Sequence, residues 1–226
     1  MNLNMFEQFA SPEILLLPTN IMSMLIPILL IYTKPTLLGN RISTILNWFL
    51  KTALSNMINQ LSLAGQKWSR FLMSLLLLIL LSNLLGLLPY TFTTTSQLSM
   101  NMAFAIPMWL GTVITGLTMK TSSSLAHMLP EGSPTPLIPF MILIETISLL
   151  MRPIALGVRL TPNITAGHLL MTMISSAALS FINMYNTLSI MTMMLLMLLT
   201  LLEMAVACIQ AYVFILLITL YLQENT

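Results

Sequence analysis

Charge is what this chain lacks most. Only 6% of its 226 residues are Asp, Glu, Lys or Arg, against about 25% in soluble domains. Asp is absent altogether. With 57% hydrophobic residues and a mean hydropathy of +0.93, a water-solvated globule is excluded. The composition is that of an integral membrane protein with little extramembrane mass. A net charge of only +2 leaves no polybasic footprint, so nucleic acid is not an expected partner. The single cysteine, Cys208, excludes a disulfide or a thiolate metal site within the chain. Inside its apolar run it reads as a small core residue. No nucleotide-binding P-loop occurs, and no metal or cofactor is expected. The opening MNLNMFEQFASPE has neither a basic region nor a small-residue cleavage site before its apolar run, so no cleaved signal or transit peptide is expected.

What the chain has in abundance is apolar length. Ile14 to Tyr32 is a first candidate span, interrupted by Pro18 and Pro27; about 20 residues cross a bilayer core, and prolines are tolerated there. Asn40 to Leu63 differs. Ile42, Leu46, Phe49, Leu50, Ala53, Leu54, Met57 and Leu61 recur at helical spacing, with Arg41, Asn47, Lys51, Ser55, Asn59 and Ser62 mainly on other faces. This is an amphipathic helix suited to the membrane interface; a helix packed on a soluble partner is the alternative. Phe71 to Leu88 and Leu98 to Leu117 form an antiparallel hairpin through the short link PYTFTTTSQ. Met119 to Pro136 is a loop, in which His127 reads as a solvated residue.

Two runs are too long for a simple crossing. Leu137 to Met184 is roughly 72 Å if helical, and Leu188 to Leu222 roughly 52 Å, against a bilayer core of about 30 Å. Either each run breaks, or both helices tilt steeply. The segment RPIALGVRLTPN, with Pro153 and Pro162, is where hydropathy alone would split the first run. The segmentation is therefore 1–36 for the N-terminal span, 37–66 for the interfacial helix, 67–119 for the hairpin, 120–136 for the loop and 137–226 for the long helix pair. The 21 methionines read mostly as adaptable lipid-facing filler.

Orientation follows from the basic residues. Lys34, Arg41, Lys51, Lys67 and Arg70, five of the eight, lie between the first two spans and place that segment on the inner side. The N-terminus, with Glu7 and Glu13, is then outside. If each long run crosses once, the 120–136 loop and the C-terminus with Glu224 are inside.

Against this background the intramembrane polar residues stand out. An Arg at the bilayer midplane costs roughly 2.5–3.5 kcal/mol on insertion scales, yet the first long run carries Glu145, Arg152, Arg159 and His168, and the second carries Glu203. At about 100° per residue, Glu145, Ser148, Arg152, Arg159 and Asn163 share one helix face, and His168 falls about 180° from Arg159. Glu203, Gln210 and Tyr221 form a stripe on the second run. Buried hydrogen bonds between helices would explain Asn163, Gln210 and Tyr221. They explain an Arg and two Glu poorly, because an amide would serve at lower desolvation cost. Acid, base and imidazole together in lipid point to proton handling. Arg152 reads as an auxiliary charge beside Pro153. A self-contained proton-coupled transporter is the rival reading, although no internal repeat supports it. A passive anchor leaves the charges unexplained.

The segments SNLLGLLPYTFT (82–93), TSQLSMNMAFAIPMW (95–109), LAHMLPEGSPTPLIP (125–139), IETISLL (144–150), ALGVRLTPNITAGHLL (155–170), LLEMAVACIQAYVFILL (201–217) and LYLQENT (220–226) resemble the subunit a family of F-type ATP synthases, in its animal mitochondrial, organelle-encoded form. The resemblance runs through essentially the whole chain and rests most specifically on the spacing of Arg159, Asn163 and His168 joined with that of Glu203 and Gln210.

The resemblance implies an all-α integral membrane fold with about five membrane helices and one interfacial amphipathic helix, the last two helices long and strongly tilted against a c-ring. It implies that Arg159 is the family's essential arginine facing a ring carboxylate. Glu203 and His168 match the acid–imidazole pair of the outer access path, and Glu145 matches a carboxylate of the inner path. Asn163 and Gln210 match polar residues beside the arginine. Ser148, Arg152, Tyr221 and Glu224 complete the proton path implied. The partners implied are c-ring proteolipids, other membrane and peripheral-stalk subunits, and the lipid of the mitochondrial inner membrane, with nucleotide chemistry left to partner subunits. The N-terminus would face the intermembrane space and the C-terminus the matrix. One departure is Pro162, at a site that is usually Ala in the family. Its missing N–H removes a helix hydrogen bond three residues past Arg159, which could turn the later residues away from the stripe angles above.

Overall fold

The computed structural model describes residues 9–10, 12–14, 17–31, 41–60, 65–88, 91–119, 121, 137–182 and 186–225. Outside them fall Glu7, Lys34, Pro89 and the expected loop at 120–136 with Lys120, His127 and Glu131, apart from Thr121. Among the described residues the architecture is all-helical save for one short pairing. Strand β1 (Glu13–Ile14) pairs antiparallel with β2 (Leu17–Pro18), setting Glu13 opposite Pro18 and Ile14 opposite Leu17.

That pairing shortens the first expected span. Helix α1 runs only over Thr19–Ile31, 13 residues, or about 20 Å, where the sequence promised a span from residue 14. The cause is Pro18. Its ring drives the preceding residue, Leu17, out of helical geometry, so Leu17–Pro18 is held as strand and the helix starts at Thr19. The Thr19 amide then donates to the Pro12 carbonyl at 3.3 Å. Pro27 is kept inside α1 and is buried.

Helix α2 (Arg41–Gln60) is the expected amphipathic element. Leu50, Ala53 and Leu54 are half-buried at helical spacing, and Arg41, Asn47, Lys51 and Ser55 are exposed. A 3-10 turn, Gly65–Trp68, leads into α3 (Ser69–Gly86). After a second 3-10 turn, Thr94–Ser96, α4 follows over Leu98–Met119 with Pro107 inside it. At the end of α3, a Cβ on Gly86 would stand 3.0 Å from Thr93 Cγ2, so a glycine lets the link fold back against the helix.

The last two helices are the longest. Helix α5 runs over Ile138–Ile182 (45 residues) and α6 over Asn186–Asn225 (40 residues), about 68 and 60 Å. Helix α5 continues through both Pro153 and Pro162, so neither proline ends it. Among the described residues, four helical segments are long and apolar enough to cross a membrane: Gly65–Gly86, Leu98–Met119, Ile138–Ile182 and Thr187–Asn225.

The chain divides into two compact units. The first comprises Met1–Tyr32, Leu78–Leu98 and Arg159–Tyr212. Its interior is unusually polar for so apolar a chain: Ser82, Asn83, Thr94, Thr95, Glu203 and Gln210 are buried there beside Ile79, Leu160 and Ala211. The second comprises Thr33–Leu77, Ser99–Val158 and Val213–Thr226. Its interior is dominated by Leu72, Leu76, Ala105, Leu156, Ile215, Ile218 and Leu222. Both units turn large apolar side chains outward. Met191, Met194, Met197 and Leu201 of α6 are each more than two-thirds exposed, a face that only lipid or a partner can solvate favourably. Cys208 belongs outside too. It is exposed, not a core residue, because it lies about 140° around α6 from buried Glu203 while its neighbours Ala207 and Ala211 take the interior positions.

Candidate functional site

In the first unit, α5 and α6 meet along a line of small and apolar residues. Leu160 and Ala178 are buried, and Ile164, Gly167 and Met171 are half-buried; these positions recur at the three- and four-residue spacing of one helix face. Arg159 and His168 lie on opposite flanks of that line, about 180° apart. The helix is unbroken at Pro162, so that offset survives.

Three contacts define the site in this unit. Asn163 donates from Nδ2 to Gln210 Oε1 at 3.0 Å, which ties the arginine-bearing turn of α5 to α6. Pro162 therefore does not swing Asn163 away from its partner. The Thr165 hydroxyl donates to the Thr161 carbonyl at 3.1 Å and lies 3.2 Å from that of Pro162. One helical turn further on, the Glu203 carboxylate reaches the backbone of α5 at Gly167, where an added Cβ would stand 2.5 Å from Oε1. Running from Asn163 to Gly167 on α5 thus means running back from Gln210 to Glu203 on α6, so the two helices are antiparallel.

The acid meets α5 at Gly167, and the imidazole is carried by the next residue, His168. Both His168 Nε2 and Glu203 Oε1 are buried and have no hydrogen-bond partner among the described residues. Buried polar atoms are otherwise nearly always satisfied by protein or ordered water. Arg159 is different. It is exposed and forms no ion pair or hydrogen bond with a described residue.

One buried residue here was not anticipated as part of the site. Asn83, in the last turn of α3, donates from Nδ2 to the Ala207 carbonyl at 3.4 Å, one turn past Glu203. Its Oδ1 is buried without a partner. A lone amide inside an apolar span was the available signal.

In the second unit, Arg152 and Glu224 form an ion pair, Nη1 to Oε2, at 2.6 Å. The Arg152 guanidinium also lies 5.0 Å from the centre of the Tyr221 ring, a cation–π distance. Arg152 is thus the centre of a cluster and more than an auxiliary charge beside Pro153. Glu145 is half-buried and Ser148 exposed. The Ser148 hydroxyl donates to the Glu145 backbone carbonyl at 2.8 Å, so its proton is satisfied by its own helix. The sequence residues thus form two groups: Asn163, Gln210, Glu203 and His168 in one unit, and Arg152, Tyr221 and Glu224 in the other.

Known proteins match the sequence along nearly its whole length. A family model described as ATP synthase A chain matches residues 15–223. The ATP synthase F(0) complex subunit a of Lycodon semicarinatus is 72% identical over 226 residues, with both chains covered completely. The proteins of the same description from Struthio camelus and Pan troglodytes are 57% and 54% identical over 226 residues, again with full coverage of both chains. With the family model covering nearly all of the sequence and relatives of this identity aligned end to end, the chain belongs to the ATP synthase A chain family.

Proposed function

We propose that the chain is the proton-translocating subunit of an ATP synthase membrane sector in the mitochondrial inner membrane. It works with a ring of c-subunits and forms two offset proton half-channels. A proton from the intermembrane space passes His168 and Glu203 and neutralises a ring carboxylate. A neutral site can turn through lipid, whereas a charged one is held back by the cost of burying charge there. After rotation the proton leaves to the matrix past Glu145, helped by the polar group of Ser148, Arg152, Tyr221 and Glu224. Arg159 favours the ionised form of the ring carboxylate that faces it and blocks direct leakage. Asn163 and Gln210 fix the turn that presents it.

The observation that carries this reading is Arg159 itself. It is exposed and unpaired among the described residues of a chain that has almost no charge to spare. A guanidinium on an apolar surface calls for a carboxylate, and in this reading a ring subunit supplies it. Family membership makes the chain part of a larger enzyme complex, and nucleotide chemistry belongs to its partners, because no nucleotide motif is present in this sequence. The basic segment around α2 lies on the matrix side, with α2 along the surface, the N-terminus in the intermembrane space and the C-terminus in the matrix.

The direct experiment replaces Glu203 by Gln in the assembled complex and measures proton-driven ATP synthesis. Synthesis should fall sharply, with the loss traced to uptake from the outer side. Normal synthesis would refute the assignment of the outer path. The rival reading, a self-contained transporter, is separated by purification: co-isolation with small proteolipids supports the present one, and proton-coupled solute transport by the isolated chain would support the rival.

A further inference from the structure

Glycine in the middle of a helix is an unfavourable choice. It loses more conformational freedom on folding than any other residue, and Ala is the better helix former. Gly167 stands deep inside the 45-residue helix α5, so a reason to keep it must come from its surroundings. An ideal Cβ built there would lie 2.5 Å from Glu203 Oε1, 3.1 Å from Cδ and 3.4 Å from Cγ. The carboxylate therefore occupies the volume that any other side chain would fill. Gly86, Gly111, Gly116 and Gly157 approach Thr93, Trp68, Asn225 and Met102, none of which titrates. Of these five, Gly167 is the one that opens onto an ionisable group.

We propose that Gly167 is a positioning residue for proton transfer: the missing side chain seats the Glu203 carboxylate against the backbone of α5 at the residue that precedes His168. The proposal rests on the reading of Glu203 and His168 as the outer path. Its physical content is specific. The atom a Cβ would meet is the far end of a flexible side chain, so the clash is relieved by swinging the carboxylate away and not by moving a helix. Gly167→Ala should leave the complex folded and assembled while displacing the one atom on which transfer depends. A displacement of about 1 Å at a reacting group can cost up to about 100-fold in rate.

The test uses assembled ATP synthase in sealed vesicles, with synthesis driven by a proton gradient and the pH of each side varied separately. Gly167→Ala should slow synthesis by about 10- to 100-fold and change its dependence on outer pH, leaving the dependence on inner pH as it was. The double variant Gly167→Ala with Glu203→Asp supplies the check. Aspartate withdraws the carboxylate by one carbon–carbon bond, about 1.5 Å, and so clears the new methyl. Glu203→Asp moves the carboxylate and is slow in its own right, so the double variant should run no slower than Glu203→Asp alone. A packing role predicts the opposite: an unchanged outer-pH profile and a further loss of rate when Gly167→Ala is added to Glu203→Asp. Either of those outcomes overturns the proposal. If Gly167→Ala fails to assemble, the double variant decides: assembly with the outer-pH profile of Glu203→Asp alone supports the proposal, and failure to assemble refutes it, because the Cβ then meets something other than the carboxylate. Glu203→Gln measured in parallel separates the two levels of inference. Normal synthesis in Glu203→Gln sinks the reading of the outer path itself; slow synthesis there with a normal Gly167→Ala sinks only the role of Gly167.

Discussion

Replacing Arg152 by Ala removes two contacts at the C-terminal end of α6. One is the ion pair to Glu224 at 2.6 Å; the other is the stacking on Tyr221 at 5.0 Å. The side chains of the pair are 27% and 49% exposed, so solvent screens it, and a value of about 0.2–1 kcal/mol is appropriate. The cation–π contact adds about 0.5–1 kcal/mol. The variant should therefore loosen the last turns of α6 by roughly 1–2 kcal/mol, equivalent to about 5- to 30-fold faster local opening. Hydrogen exchange at the backbone amides of residues 219–225 in the assembled complex reads this directly. Glu224→Gln removes the charge pair and leaves the stacking, so it should show the smaller share. The coupling between the two substitutions in a double-mutant cycle isolates the pair and should not exceed about 1 kcal/mol. Unchanged exchange in Arg152→Ala would refute the contact as a clasp on α6. A coupling of about 3 kcal/mol or more would refute the solvent-screened treatment of the pair and place it in a far drier setting.

Two further outcomes follow from the proton-path and topology readings. Glu203→Gln and His168→Leu should each slow uptake from the outer side, and Glu145→Gln should slow release to the matrix; vesicles with independently buffered faces separate these, and an identical response of all three to the same side would contradict the two-path assignment. Lys51 on α2 should react with an impermeant amine reagent applied from the matrix side and be protected from the other, and the reverse pattern would invert the topology.

Much of the helical frame was legible because its signal is long. Runs of apolar residues from 71 to 88, 98 to 117 and beyond 137 returned as helices within a few residues of their expected ends. The amphipathic stripe around Leu50, Ala53 and Leu54 was equally plain, since a three- and four-residue spacing has one simple geometric meaning. Local prolines were harder. Pro18 ends the helix before it begins because the constraint falls on Leu17, whereas Pro153 and Pro162 are absorbed within α5, where long flanking helix holds the segment in register. Hydropathy does not distinguish these cases.

The site was legible in residue type and less so in pairing. Asn163 and Gln210 were marked as polar residues in apolar helices and meet at 3.0 Å. The pairing of Arg152 with Glu224 was missed because the two are 72 residues apart. A signal was available: in an antiparallel helix pair facing residue numbers fall on one side as they rise on the other, so once Asn163 is set opposite Gln210, Arg152 falls opposite Tyr221 and within a turn of Glu224. Cys208 was misplaced for a different reason. In a membrane chain an apolar neighbourhood marks lipid as readily as core, and only the helical angle to Glu203 tells them apart. Gly167 left no trace in composition or periodicity, because its role lies in what a neighbour on another helix needs.

In the proposed mechanism Arg159 acts on a carboxylate carried by a partner ring. The most direct test of that step is ATP synthesis by the assembled complex carrying Arg159→Ala, measured in sealed vesicles under an imposed proton gradient. The complex should assemble intact and make no ATP from that gradient. Arg159→Lys should fail as well, because an ammonium lacks the planar fork of a guanidinium. An assembled Arg159→Ala complex that synthesises ATP at a near-normal rate would contradict it.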